Sequence, residues 1–63
     1  MMIVNKFIVC DTKDGEVYIN ANYITCFRYD SELDMTVIHV HGFDKPIVFK
    51  GDITDDIFKM IYS

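Results

Sequence analysis

The sequence predicts an α+β fold, a four- to five-stranded antiparallel meander sheet with one C-terminal amphipathic helix packed on one face. Three observations lead to this class. The apolar runs are short and rich in β-branched residues, and turn-forming residues separate them. The run from Met35 to Val40 contains no Gly or Pro and has apolar runs on both sides, which indicates a central strand. Only the last segment has a helical apolar period, which places the helix after the strands.

The first two strands are predicted at Ile3 to Asp11 and Glu16 to Asn20. The first is interrupted by Asn5-Lys6, where we expect a bulge. The turn between the strands contains Asp14-Gly15, and Gly readily adopts the positive φ that a tight hairpin needs. The second strand alternates apolar and polar residues, as half-buried strands do. The two strands should pair antiparallel.

The third strand is predicted at Thr25 to Asp30, after a break at Asn20-Ala21-Asn22. Phe27 is its expected inward residue, and Ser31 to Asp34 forms a polar connection to the central strand. Alternation along the central strand places Ile38 and Val40 on one face. The opposite face is then predicted to mix apolar and polar side chains, from Tyr18, Cys26, Val37, His39 and His41.

The last strand and the helix follow the turn at Gly42 to Lys45. Pro46 opens the strand, at a position that tolerates a missing donor. The apolar run Ile47 to Phe49 needs cover, and the helix can provide it. One apolar stripe of that helix combines Ile53, Ile57, Met60 and Ile61. Asp52 is the predicted N-cap, with Asp55 and Asp56 in the first turn, where carboxylates suit the helix dipole.

The chain of 63 residues predicts a single small domain, 1 to 63. Domains of this size bury only about 60% of their unfolded surface, so a hydrophobic fraction of 51% favours apolar surface shared with an identical copy. Cys10 and Cys26 lack the spacing of a secreted disulfide scaffold and are predicted to be reduced and buried. With no signal-peptide pattern and no long apolar span, we expect a cytoplasmic protein without a membrane partner.

The formal net charge is −4, and the six basic residues are scattered along the chain. This composition argues against nucleic-acid binding, which needs clustered Lys and Arg, and mildly favours a basic protein partner. Asp30, Glu32 and Asp34 are candidates for an acidic rim, together with Asp14 and Glu16. Carboxylates in turns are also commonly just solvated, so both interpretations stay open.

Several short patterns together resemble the small FlbD-type (SwrD) flagellar proteins of bacteria, and similar uncharacterised small bacterial and phage proteins. The residues that carry the resemblance are Asp14-Gly15, Tyr18-Ile19-Asn20, Tyr23-Ile24, Thr36-x-Ile38-x-Val40-x-Gly42, Lys50 and Asp55-Asp56-Ile57. The chain departs from the family pattern at Tyr29 to Met35, which is longer and more acidic, and at Gly42 to Pro46. The resemblance implies a cytoplasmic accessory protein without enzymatic chemistry, linked to flagellar motor output.

His39 and His41 are the best local candidates for a metal site, because residues two apart on a strand project to the same face. A site needs a third ligand, for which Cys26 or Asp44 is in reach. Two partly exposed imidazoles on the open sheet face are the simpler explanation of the pair, so we predict no metal and no cofactor. The sequence contains no nucleophile elbow, P-loop or dinucleotide glycine pattern, and we predict no enzymatic activity.

These observations favour a small, non-enzymatic regulatory protein that self-associates and binds a larger protein assembly. Exposed aromatic residues are enriched at protein interfaces. The interface candidates are Tyr18, Tyr29, Val37, His39, His41 and Phe43. One alternative is a small acidic phage-type inhibitor whose rim occupies the basic groove of a nucleic-acid-binding host or defence protein. A flagellar accessory role is a further alternative.

Overall fold

The computed structural model describes residues 2–4, 6–12 and 15–62, with side chains described for 6–10 and 15–62. Six strands, a short 3₁₀-helix and one α-helix lie within these residues. In chain order they are β1 (Met2–Val4), β2 (Phe7–Thr12), β3 (Gly15–Asn20), the 3₁₀-helix (Ala21–Tyr23), β4 (Ile24–Asp30), β5 (Met35–Val40), β6 (Ile47–Lys50) and α1 (Thr54–Ile61).

The strands form two antiparallel three-stranded meanders, β1-β2-β3 and β4-β5-β6. The predicted α+β class with antiparallel strands and a C-terminal helix is therefore confirmed, and β5 is the middle strand of its sheet. The strands are divided between two sheets because the 3₁₀-helix stands between β3 and β4. Asn20 begins this helix by accepting a hydrogen bond on its side chain from the backbone N–H of Asn22 (2.9 Å). The predicted break at Asn20 to Asn22 thus redirects the chain away from the first sheet.

The first predicted strand is in fact two strands. β1 and β2 pair antiparallel, with Val4 opposite Phe7. Lys6, where a bulge was expected, is instead a turn residue between two separate strands, and Asn5 lies outside the described residues. The predicted pairing of the next two strands is confirmed, with Ile8 opposite Ile19 and Thr12 opposite Gly15. Lys13 and Asp14, in the predicted turn, lie outside the described residues.

A single apolar core lies between the two sheets and the helix. In the second sheet Phe27, Ile38 and Ile47 lie side by side on neighbouring strands, facing inward. The buried members of the core are Ile8, Ile19, Ala21, Ile38, Val40, Ile57 and Met60. Of the predicted helix stripe, Ile57 and Met60 are buried and Ile53 packs partly buried against the core, but Ile61 in the last turn is exposed.

Hydrogen bonds attach both ends of the helix to the rest of the chain. The helix begins at Thr54, so the N-cap position is Ile53, one residue later than predicted. Asp52 still contributes, because its Oδ1 accepts from the backbone N–H of Thr54 (3.0 Å) and from its hydroxyl (2.6 Å). At the other end, Lys6 Nζ donates to the carbonyl of Met60 (2.8 Å), where a cation suits the helix dipole.

Candidate interaction surfaces

The second sheet has one face in the core and one face in solvent. On β5, Thr36, Ile38 and Val40 are buried, so the alternate residues Met35, Val37 and His39 point outward. We call the solvent side of this sheet the outer face. Its side chains are Cys26, Arg28 and Asp30 from β4, Met35, Val37 and His39 from β5, and Val48 and Lys50 from β6.

Strand register arranges the outer face in rows that cross the sheet. The middle row is Arg28, Val37 and Val48, and the row beside it is Asp30, Met35 and Lys50. Val48 is 50% exposed and Met35 is 37% exposed. The centre of the outer face is therefore apolar and open to solvent, with charged side chains on its two flanking strands.

His39 and Val37 lie on the outer face as predicted, and His39 is directly opposite Cys26 on β4. His41 is exposed just beyond β5, where its backbone N–H donates to the carbonyl of Tyr23 (2.7 Å). Within the described part of the chain, no three His, Cys, Asp or Glu side chains are grouped so as to hold a metal ion. Cys10 is half-buried, and Cys26 is exposed on the outer face where burial was expected.

Tyr18 lies on a different sheet from the histidines, which corrects the prediction of a common face. It is on β3 of the first sheet, 63% exposed, and its hydroxyl donates to Glu16 Oε2 (3.2 Å). This hydrogen bond, with the Glu16 charge, raises the pKa of Tyr18. Glu16 is thus engaged on β3, and Asp14, its expected neighbour in the acidic rim, lies outside the described residues.

Two members of the predicted acidic rim, Asp30 and Asp34, lie around Tyr29, and Glu32 is exposed in the turn between them. The Tyr29 hydroxyl donates to Asp34 Oδ1 (2.6 Å), and this bond is the main reason that the pKa of Tyr29 is raised. Desolvation and the charges of Asp34, Asp52 and Asp30 act in the same direction. The backbone N–H of Gly51 also donates to the carbonyl of Asp34 (2.7 Å). The β4–β5 turn and the segment before the helix therefore bring these carboxylates together at one end of the molecule.

Asp30 has a clear structural function in the same turn. Its Oδ1 accepts from the backbone N–H groups of Glu32 (3.0 Å) and Leu33 (3.2 Å), and its Oδ2 lies 3.7 Å from Arg28 Nη1. Such a local hydrogen-bonding pattern is what Asp commonly provides at turns. Asp30 therefore shapes the turn while one of its oxygens remains on the outer face.

Phe58 on the helix is a surface aromatic residue that the sequence interpretation missed. Its ring packs edge-on against Phe27 of β4, with centroids 5.2 Å apart, and stacks on Tyr62 at 6.0 Å. Phe58 is 49% exposed. The i, i+4 spacing of Phe58 and Tyr62 in the sequence is a signal from which this aromatic contact could have been predicted. Of the remaining interface candidates, Phe43 is exposed in the loop between β5 and β6.

The chain matches no protein-family model, and no curated protein or solved structure is found to be similar to it. The resemblance to FlbD-type flagellar proteins therefore stays a prediction. In the described part of the chain, no helix has the length and apolar character needed to cross a membrane.

Proposed function

We propose that this chain is a non-enzymatic interaction protein of the cytoplasm that self-associates and binds a larger protein assembly. The observation that supports it is the apolar centre of the outer face, formed by Met35, Val37 and Val48, which no other described element covers. Apolar surface in contact with water costs roughly 25 cal/mol per Å², and a partner that covers it removes that cost.

The arrangement of the core explains why this surface is left over. Both sheets direct one face into the shared core, and the helix fills the remaining side through Ile57 and Met60. None of the elements in residues 2–4, 6–12 and 15–62 is left over to cover the outer face. Self-association is the simplest way to cover it, since most soluble oligomers are made of identical chains.

Solution mass as a function of concentration, measured by light scattering at low and high salt, tests the proposal. We expect the wild-type mass to rise above that of a monomer with concentration. Val48→Lys should shift that transition to higher concentration because it places a charge in the apolar centre. Leu33→Lys is the matched control, since Leu33 is an exposed apolar residue in the β4–β5 turn. A wild-type protein that is monomeric at every concentration would overturn self-association.

A second candidate function is supported by the grouping of carboxylates around Tyr29. Asp34, Asp52 and Asp30 all act on its hydroxyl, in a chain of net charge −4. Such a surface suits an inhibitor that occupies the basic groove of a nucleic-acid-binding protein. The flagellar accessory role implied by the resemblance is a third proposal.

The triple variant Asp30→Asn, Glu32→Gln and Asp34→Asn tests the inhibitor proposal. Asn at position 30 keeps the oxygen that accepts the turn hydrogen bonds. An inhibitor should compete with a DNA duplex for a basic DNA-binding protein, and the triple variant should lose that competition. Equal competition by the variant and the wild type would argue against an acidic rim.

A further inference from the structure

We propose that a second copy of this chain packs on the outer face, in a face-to-face dimer whose two-fold axis runs parallel to β5. The inference rests on the self-association proposed above and names its surface and geometry. It follows from the strand order, in which β5 lies between β4 and β6, and from the positions of charge along the rows of the outer face.

A two-fold axis along β5 keeps each residue in its row and exchanges the two flanking strands. β5 of one copy then lies over β5 of the other, and β4 lies over β6. Val37 meets Val37 and Met35 meets Met35 across the axis, and Val48 of each copy lies opposite Arg28 of the other. Strands of two sheets that pack in this way run nearly aligned, with a spacing of about 10 Å, as in β-sandwiches.

Charge complementarity selects this axis. Asp30 on β4 and Lys50 on β6 are both in the row of Met35, so the axis places Asp30 of each copy opposite Lys50 of the other. Within one chain the two residues are two strands apart, roughly 9 to 10 Å, with Met35 between them. The ion pair found among the described residues joins Asp30 to Arg28 instead. The dimer thus gains two intermolecular ion pairs that the monomer lacks.

A two-fold axis across the strands is the alternative face-to-face arrangement, and it lacks this complementarity. With that axis through the row of Arg28 and Val37, each strand lies over its own copy and the rows are reversed. Asp30 would then lie opposite Cys26, and Met35 opposite His39. Cys26 is not a cation, so this arrangement gives the Asp30 carboxylate no ion pair.

The size of the surface predicts a weak dimer. Three strands are about 14 Å wide and a six-residue strand is about 20 Å long, which gives a footprint well below that of a standard stable interface. We therefore expect the dimer to dissociate on dilution through the micromolar range. Analytical ultracentrifugation over a wide concentration series is the appropriate measurement.

The decisive test combines Lys50→Glu and Asp30→Asn. Lys50→Glu should weaken dimerisation about tenfold or more, because it places two carboxylates opposite each other in both symmetric contacts. Asp30→Asn should weaken the wild-type dimer, since it removes an attraction, but strengthen the Lys50→Glu dimer, since it removes a repulsion. Asn retains the oxygen that accepts from Glu32 and Leu33, so the turn is preserved.

Lys45→Glu and Asp44→Asn are the matched controls, because both residues are exposed in the β5–β6 loop and the charge changes are the same. They should leave the dissociation constant nearly unchanged. Val37→Glu offers a second readout that does not depend on the ion pairs: it puts two carboxylates on the axis and should abolish the dimer. Circular dichroism on each variant shows that the fold is retained.

The outcomes separate this inference from the proposed function. The arrangement is supported if the wild type dimerises and if Asp30→Asn weakens the wild-type dimer but strengthens the Lys50→Glu dimer. A wild-type dimer that neither Lys50→Glu nor Val37→Glu weakens would overturn the arrangement while leaving self-association in place. A strictly monomeric wild type would overturn both.

Discussion

Thr36 is the residue on which the connection between sheet and helix depends. Among the described residues, Thr36 is the polar residue that is buried, and it has no exposed surface. Its hydroxyl donates to the carbonyl of Gly51 (2.7 Å) and accepts from the backbone N–H of Ile53 (3.0 Å). Both groups belong to the segment that leads into the helix, where backbone partners are scarce. One hydroxyl on β5 therefore holds the chain in place just before the helix begins.

Thr36→Val should destabilise the fold by about 1 to 3 kcal/mol, since it keeps the side-chain shape but leaves the Ile53 N–H and the Gly51 carbonyl without this partner. Urea denaturation followed by circular dichroism measures the change. Thr25→Val is the control, because the exposed Thr25 hydroxyl also donates to a backbone carbonyl, that of His39. Equal losses for the two variants would mean that burial of the hydroxyl does not matter.

Asp52 also contributes to the stability of the fold. The direction of its pKa shift determines how that contribution depends on pH. Hydrogen bonds from the hydroxyl and backbone N–H of Thr54 lower the pKa of Asp52, against a smaller opposing effect of desolvation. The contribution to stability is therefore present above the ordinary pKa of Asp, about 3.9, and is lost as the pH falls through the lower folded value.

We expect wild-type stability to fall more steeply with acid than that of Asp52→Asn, since the amide does not titrate. Urea denaturation at a series of pH values below neutrality tests this, and an NMR titration of the Asp52 carboxyl reports its pKa directly. Asp44→Asn, in an exposed loop, is the control. An Asp52 pKa at or above the ordinary value would contradict the hydrogen bonding described here.

At the scale of elements, the helix depends on its tertiary contacts. It has eight residues, whereas isolated helices shorter than about 12 to 15 residues are marginal in water. Ile57 is fully buried against the core, and the chain on either side is held by Thr36 and Lys6. The helix is therefore stabilised by docking on the sheets more than by its own propensity.

Ile57→Ala should destabilise the protein by about 2 to 5 kcal/mol, because it opens a cavity where the helix meets the core. Phe58→Ala is the matched control. Phe58 is next to Ile57 and larger, but it is half exposed, so its truncation should cost less free energy of unfolding despite the greater loss of side-chain volume. Equilibrium urea unfolding of both variants gives the comparison. A larger loss for Phe58→Ala would indicate that the aromatic contacts with Phe27 and Tyr62 carry the docking.

At the scale of the whole molecule, stability is expected to be modest. A chain of 63 residues has a free energy of unfolding of about 3 to 9 kcal/mol by the usual values per residue. A second copy that binds only the folded chain adds to this by mass action. Self-association and folding should therefore be coupled in this protein.

The coupling predicts a melting temperature that rises with protein concentration. Wild type should show this rise in calorimetry across the range in which it dimerises, and Val48→Lys should lose it. Leu33→Lys should behave as wild type, because Leu33 lies in the β4–β5 turn and outside the outer face. A concentration-independent melting temperature for wild type would indicate that the outer face stays uncovered in solution.

Much of the architecture could be predicted because it is encoded over a few residues at a time. The β-branched runs, the Asn20 to Asn22 break and the apolar helix spacing predicted the antiparallel strands, their connections and the C-terminal helix. Alternation along β5 also placed Val37 and His39 outward and Ile38 and Val40 inward. These are local properties, since side-chain direction along a strand follows from the backbone itself.

The assignment of strands to sheets could not be predicted in this way. Six strands in one meander sheet and six strands in two three-stranded sheets have the same local sequence patterns. In this chain the two sheets separate at the 3₁₀-helix between β3 and β4. For the same reason Tyr18 and His39, predicted on one face, lie on different sheets. Which strands share a sheet depends on how the whole apolar set packs around one core.

The sequence by itself determined the α+β class, the antiparallel order of neighbouring strands, the central position of β5 and the outward direction of Val37 and His39 on it. Only the tertiary structure decided that Thr36 connects sheet and helix, that Asp52 lies near Asp34 around Tyr29, and that Asp30 and Lys50 share a row. The physical reason is sequence distance. Each of these relations joins residues that are far apart in the chain, and their proximity arises only when the two sheets and the helix close on their core.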